Sequence, residues 1–166
     1  TVLWAAGVAA SPLGRMLDAP VDRAGRVAVQ PDLSLAAHPQ VFVVGDLASI
    51  TSLGKPVPGV GAAARQMSRL AARNLLARHG HRSTTAFVYR DYGMLATIGR
   101  NAAVGTVGGI QMSGRIAWIF WLCVHLFYLI GFRNRLVVLV DWAWAYVSFA
   151  RSARVFSPQE HAQPPA

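Results

Sequence analysis

Glycine-rich phosphate turns of the form G-x-G-x-x-G are missing from this 166-residue sequence, so nothing in it marks a dinucleotide pyrophosphate site. Cysteine is nearly absent: Cys123 alone excludes an internal disulfide framework, and its apolar neighbours read as the setting of a buried, inert thiol. Acids are scarce, 7 Asp and Glu against 16 Lys and Arg, for a net charge of +9. Almost all of the bases are arginine, which suits phosphate or anionic headgroups. They are not gathered with aromatics into a stripe, so nucleic acid is not expected. No residue set suggests a metal site. No charged leader opens the chain, which starts at strand strength with Thr1-Val2-Leu3-Trp4-Ala5-Ala6-Gly7 and reads as the middle of a longer protein. A hydrophobic run long enough to cross a bilayer is also lacking. Ile116 to Phe132 and Leu136 to Ala150 reach about 25 Å and about 22 Å as helices, against roughly 30 Å of hydrocarbon.

Apolar residues, however, are abundant: 54% of the chain is hydrophobic and its mean hydropathy is +0.36, high for a soluble domain. Val41-Phe42-Val43-Val44 reads as a strand buried on both faces, ended abruptly by Gly45-Asp46. An acid at the carboxyl end of such a strand stands where open α/β sheets bind ligands, and its acceptor oxygens suit a polyol hydroxyl. Gly45 would let a large flat ligand approach the backbone. A turn-capping Asp would look the same in sequence.

Asp22-Arg23-Ala24-Gly25-Arg26-Val27 reads as a turn entering a short strand, with Gly25 free to take positive φ. Ser49 to Pro58 is too broken for regular structure. From Gly59 to about His79 a helix is expected, C-capped by Gly80, with small residues in its first turns and its amino-terminal dipole aimed at the Gly45-Asp46 crevice. Gln66 is an uncharged amide near that end, either a solvated surface residue or a ligand contact. Phe87 to Arg90, Met94 to Arg100 and Ala103 to Ile110 read as a small antiparallel meander. The apolar runs after it, separated by Arg133-Asn134-Arg135, carry Trp118, Trp121, Trp142, Trp144 and Tyr146 beside Arg115, Arg133, Arg135, Arg151 and Arg154. A spanning hairpin would bury His125 and Asp141 and carry two arginines across, so a monotopic helix pair in the membrane interface is the preferred reading.

Several of these segments, in order, resemble the carboxyl-terminal part of the type II, non-proton-pumping NADH:quinone oxidoreductases. They are Thr1 to Val8, Asp22 to Val27, Val41-Phe-Val-Val-Gly-Asp-Leu-Ala48, Val57-Pro-Gly-Val60 with Ala64-Arg-Gln66, Phe87-Val-Tyr-Arg-Asp-Tyr-Gly-Met-Leu-Ala-Thr-Ile-Gly-Arg-Asn101, and Val124 to Arg135. The resemblance implies an FAD-dependent member of the pyridine nucleotide-disulfide oxidoreductase superfamily. Its fold would be α/β: an incomplete Rossmann-like FAD-binding domain over 1–80, a small antiparallel region over 81–114, a C-terminal amphipathic helix pair anchoring at the membrane over 115–156, and a disordered tail over 157–166. Asp46 would bind the ribityl chain of FAD beside Gly45. Ala6 and Gly7 would form the small pair next to the cofactor, Gly61 and Ala62 the helix start that faces it, and Gln66 the quinone contact. No residue here would be catalytic. NADH would be co-substrate with its main site outside this chain, and the fragment alone would be inactive. The whole protein would pass a hydride from NADH to FAD and two electrons to a membrane quinone, peripherally on the cytoplasmic face of a bacterial inner membrane. A homodimer is compatible with this. Ala62 and Tyr92 depart from some members of the family. A sulfide:quinone oxidoreductase, which needs paired cysteines, and a non-catalytic membrane-anchored fragment remain as alternatives.

Overall fold

The computed structural model describes residues 7–129 and 131–149, in two compact units that divide between Tyr92 and Gly93. Residues 1–6 of the expected strand over Thr1 to Gly7, the cofactor contact at Ala6, the 150–156 end of the anchoring region and the tail expected over 157–166 lie outside the described residues.

In the first unit Asp22 organises the expected turn. Its Oδ1 accepts from the Ala24 and Arg26 amides, each at 2.9 Å, and its Oδ2 pairs with Arg26 Nε at 2.7 Å. Burial raises the Asp22 pKa less than these contacts, led by the Arg26 amide, lower it, so its carboxylate is favoured. The turn delivers β1, Val27–Ala28, which pairs in parallel with β2, Ala48–Ser49. A two-residue ladder, β3 (Thr51–Ser52) with β4 (Lys55–Pro56), follows. Then comes α1, Gly61–His79, ended by Gly80, whose N–H donates to the carbonyls of Arg78 and Leu76. The core gathers Val27, Leu33, Leu35, Val43, Val57, Ala63, Met67 and Phe87. Burying each of its larger side chains contributes roughly 1.5–3 kcal/mol.

Two strand expectations fail here. Val41 to Val44 is extended but not a strand buried on both faces: it makes one bridge, Phe42 to Ser34, and only Val43 is buried. Among the described residues it is joined along one edge, to the 33–35 stretch, through Leu35 N to Val41 O and Val43 N to Leu33 O, while Val41, Phe42 and Val44 keep part of their surface exposed. Phe87 to Arg90 is not part of the meander either. Its backbone groups are taken by a carbonyl and by side chains: Phe87 N donates to Pro31 O at 2.7 Å, Tyr89 N to Ser52 Oγ at 2.9 Å and Arg90 N to Gln66 Oε1 at 3.0 Å. With these three N–H groups taken, they are not available to a strand ladder.

The second unit opens with an antiparallel sheet, β5 (Gly93–Gly99), β6 (Ala102–Val107) and β7 (Ile110–Ser113), in the order β5-β6-β7. Asn101, with φ +63, helps turn the first hairpin, as the sequence suggests. The segment expected as one third strand, Ala103 to Ile110, is instead cut by Gly108 and Gly109 at φ +57 and +85, the two left-handed positions of a tight hairpin. Helix α2, Gly114–Tyr128, packs on the sheet through Ala117, which with Ala103 is fully buried. Helix α3, Phe132–Val147, follows a break at Gly131, so Arg133-Asn134-Arg135 is not the turn between the helices but the first turn of α3. Arg135 reaches back to give Nε to Leu129 O and one Nη to Phe127 O, both at 2.9 Å, and so satisfies carbonyls left open where α2 ends. Cys123 is exposed rather than buried, because among the described residues none covers its face of α2. Among the described residues no helix is long and apolar enough to cross a membrane.

Candidate functional site

Gly45-Asp46-Leu47 forms a 3-10 turn against the start of α1. Gly45 takes φ +70, its N–H donates to Met67 Sδ at 3.2 Å, and a Cβ there would come 3.4 Å from the Cβ of Ala64. Left-handed backbone and close packing both call for glycine. The turn leaves the Asp46 side chain exposed, with no hydrogen bond or ion pair among the described residues. A Cβ on Gly59 would stand 3.4 Å from Asp46 Oδ1, so the carboxylate lies over the residues that lead into α1.

Helix α1 starts without a side-chain cap: its N-cap is Val60, extended at φ −132 and ψ 150, and no acid occupies its first turn. The first backbone bond of the helix is Ala64 N to Val60 O at 3.0 Å, which leaves the Gly61, Ala62 and Ala63 amides without an intrahelical acceptor. A free acceptor pair and a row of free donors at the positive end of a 19-residue helix therefore sit side by side. Gly45, Asp46, Gly61 and Ala62 are thus brought together, as the sequence suggests. Gly7 takes φ +75, and among the described residues nothing lies within 4 Å of where its Cβ would be.

Gln66 lies on the same helix, but its amide is engaged. Nε2 donates to Arg90 O at 2.9 Å and Oε1 accepts from Arg90 N, a two-point pairing of a side-chain amide with a peptide group. Eight residues along, buried Asn74 does the same: Nδ2 donates to Thr85 O at 2.9 Å and to Asp32 O at 3.0 Å, and Oδ1 accepts from Thr85 N at 2.9 Å. Between these clamps Tyr89 is half-buried, and burial, then the charge of Asp91, raises its phenol pKa above 10.0. Gly59, Asn74 and Arg90 were not singled out from sequence. The Gly59-Val60-Gly61 pair just ahead of an alanine run was a usable signal for the first; partners 11, 24 and 42 residues away leave none for the others.

The family model described as the NDH2 C-terminal domain matches residues 92–151. Two type II NADH:quinone oxidoreductases of Mycobacterium tuberculosis, NdhA and Ndh, are each 41% identical, over 95% of this chain and over 34% and 35% of their own lengths. The chain matches the carboxyl-terminal portion of the type II NADH:quinone oxidoreductases. It spans about a third of the length of these relatives. A solved structure of NDH2 from Plasmodium falciparum in complex with NADH aligns with a TM-score of 0.48 and 21% identity, over 55% of this chain and 19% of its own. A match covering 95% of the chain takes in the Gly45-Asp46 turn and Gln66 as well as the second unit, so the likeness to the type II oxidoreductases is not confined to the C-terminal domain model.

Proposed function

We propose that this chain is the flavin-side and membrane-facing part of a flavoprotein that passes a hydride from NADH to FAD and two electrons on to a membrane quinone. The observation that carries the reading is the unpartnered Asp46 carboxylate beside the uncapped amino terminus of α1. Those groups fit FAD: Asp46 accepts from a ribityl hydroxyl, and the Gly61, Ala62 and Ala63 amides donate to a group that gains negative charge on reduction. Gly45 and Gly59 keep the approach free of side chains, and Ala6 and Gly7 are assigned to the same cofactor's flank. FAD bound there would supply the two-electron chemistry that links a hydride donor to a quinone. The 1–80 region is then the end of a Rossmann-like FAD domain. Lacking G-x-G-x-x-G, it is given neither the pyrophosphate nor the nicotinamide.

Gln66 is assigned to the quinone side. Its amide carries two N–H donors and two acceptor lone pairs, and the Arg90 peptide uses one of each. One donor and one acceptor remain for a quinone carbonyl or its reduced hydroxyl, already turned by Arg90 into a fixed orientation.

The helix pair α2–α3 is assigned to the membrane surface, peripherally, on the cytoplasmic face of a bacterial inner membrane. Ile116, Phe127, Phe132, Val140, Trp144 and Val147 are each more than 60% exposed, an apolar area that favours a lipid boundary over water. The names of the relatives favour this NADH:quinone reading over a sulfide:quinone enzyme or an inactive remnant.

The test is flavin retention in the full-length protein. Losing charge-assisted hydrogen bonds from a polyol to Asp46 costs about 1.5–3 kcal/mol, roughly ten- to hundredfold in affinity. Asp46→Ala is expected to lose FAD on dilution and gel filtration under conditions where the parent keeps it. Stoichiometric flavin retained by the variant as firmly as by the parent would remove Asp46 from the site.

A further inference from the structure

Helices α2 and α3 enclose a cleft of about 570 Å³, within the range that holds a small amphiphile. Its walls are Trp118, Trp121, Leu122, Leu139, Trp142 and Tyr146, with the rings of Trp121 and Trp142 stacked at 5.7 Å and those of Trp118 and Tyr146 tilted, 5.9 Å apart. One charged side chain, Arg100 from the turn between β5 and β6, joins this lining, and no carboxylate does. Its guanidinium lies over the Tyr146 ring, 4.3 Å from the centroid, and over the Phe149 ring, 3.8 Å from the centroid, and it donates to the Tyr146 carbonyl. Stacking occupies the faces of the guanidinium and not its edge. Among the described residues its in-plane N–H groups have the Tyr146 carbonyl as hydrogen-bond partner, and the others are held in the fork that matches a phosphate oxygen pair.

An apolar, aromatic cleft with a fixed cationic fork at its margin is complementary to a molecule with one anionic head and one hydrocarbon chain. We propose that the α2–α3 cleft binds a single anionic phospholipid of the membrane surface, its phosphate on the edge of Arg100 and one acyl chain among Trp118, Trp121, Leu122, Leu139 and Trp142. This rests on the membrane reading of α2–α3 and adds to it a headgroup preference located at one residue. Generic interfacial binding would spread over every exposed base and ring. The cleft predicts that one arginine sets the selectivity. A neutral isoprenoid quinone would fill the walls but leave Arg100 without its counter-ion, so the cleft is not assigned to it.

The experiment uses the full-length protein and vesicles of phosphatidylcholine with a minor share of phosphatidylglycerol, bromine being placed on the acyl chains of one lipid or the other. Brominated chains quench tryptophan at contact distance. Quenching is expected to report about a fivefold preference for phosphatidylglycerol, the order one arginine contributes beside an anionic leaflet. Arg100→Gln should abolish the preference while vesicle binding persists, and Trp121→Phe should remove part of the quenched signal. Leu139→Phe, which narrows the cleft and keeps Arg100, should weaken quenching by phosphatidylglycerol chains without loss of vesicle binding, so that the site is tested even if Arg100→Gln does not fold. Equal quenching by both brominated lipids in the parent, a preference that survives Arg100→Gln, or quenching relieved by long-chain quinone and not by phosphatidylglycerol would overturn the site. Failure of the parent to bind either vesicle would overturn the membrane reading and the site with it, whereas binding without headgroup preference overturns the site alone.

Discussion

Replacing Asn74 by alanine should be among the most damaging single changes in the first unit. Asn74 is 2% exposed and its amide serves three backbone groups: the N–H and carbonyl of Thr85 and the carbonyl of Asp32. Truncation leaves all three without their partner and opens a small cavity. A buried polar group left unsatisfied costs about 1–3 kcal/mol, so the three together set an upper range of roughly 3–9 kcal/mol. Water can enter so polar a gap and recover part of that, which places the expected loss at about 3–5 kcal/mol. That is a large share of the about 5–15 kcal/mol that holds a typical domain folded. Urea denaturation of the full-length protein should show the loss as a lower midpoint, and hydrogen exchange should show the Thr85 amide losing protection. Asn74→Asp separates the contributions, since it keeps the acceptor for Thr85 N and removes both donations. It should therefore destabilise while sparing part of the Thr85 protection. A loss below about 1 kcal/mol in Asn74→Ala, with Thr85 still protected, would refute the accounting and mean that the 85–90 stretch is held by other contacts.

Other outcomes follow from the same side chains. Gln66→Ala in the full-length protein should slow quinone reduction more than reduction of a soluble dye, while Gln66→Glu, which keeps an acceptor for Arg90 N but cannot donate to Arg90 O, should fall between; equal losses with both acceptors would take Gln66 out of the quinone site. Asp32 is a test by pH. Partial burial raises its pKa, but hydrogen bonds from Ser34 and Thr84 and the charge of Arg78, which pairs with it at 2.9 Å, outweigh burial and lower it below 3.8. A depressed carboxylate stabilises the fold above its unfolded value and stops doing so as pH falls through its folded value. Stability of the first unit should thus decline on acidification below about pH 3.8, and Asp32→Asn should flatten that part of the profile; an unchanged acid limb in the variant would contradict this.

Local signals in the sequence were read well, and long-range ones were not. The carboxyl end of α1 at Gly80, the Asp22 turn with its Gly25 at φ +81 and the break near Asn101 follow from caps and left-handed positions within a few residues of each other. Two apolar stretches, 41–44 and 87–90, look like strands in any composition. Whether such a stretch pairs depends on what lies beside it, and here the neighbours are a single bridge in one case and, in the other, the Pro31 carbonyl, the Ser52 hydroxyl and the Gln66 amide. Arg133-Asn134-Arg135 is polar enough to look like a turn, but Gly131 at φ +84 makes the break first. The approach of Asp46 to the start of α1 was legible because its parts, a Gly-Asp turn and a small-residue helix start, are sequence features. The peptide clamps of Gln66 and Asn74 were not, since a glutamine or asparagine looks the same whatever backbone it faces.

Every staple on the 85–90 stretch engages its main chain: Thr85 at both groups, Phe87 and Tyr89 at the N–H, and Arg90 at both groups. Of its side chains, Phe87 enters the core and Tyr89 packs partly buried against it. The stretch is therefore indifferent to most substitutions and intolerant of changes in length. Along α1 the two clamping amides are separated by about 12 Å at 1.5 Å per residue, and the peptides they hold by about 16 Å of extended chain. Inserting or deleting one residue between Thr85 and Arg90, or between Gln66 and Asn74, would move one clamp off its peptide while the other held. Substitutions at the exposed positions 86 and 88 should therefore cost little, whereas a change in spacing should cost a clamp.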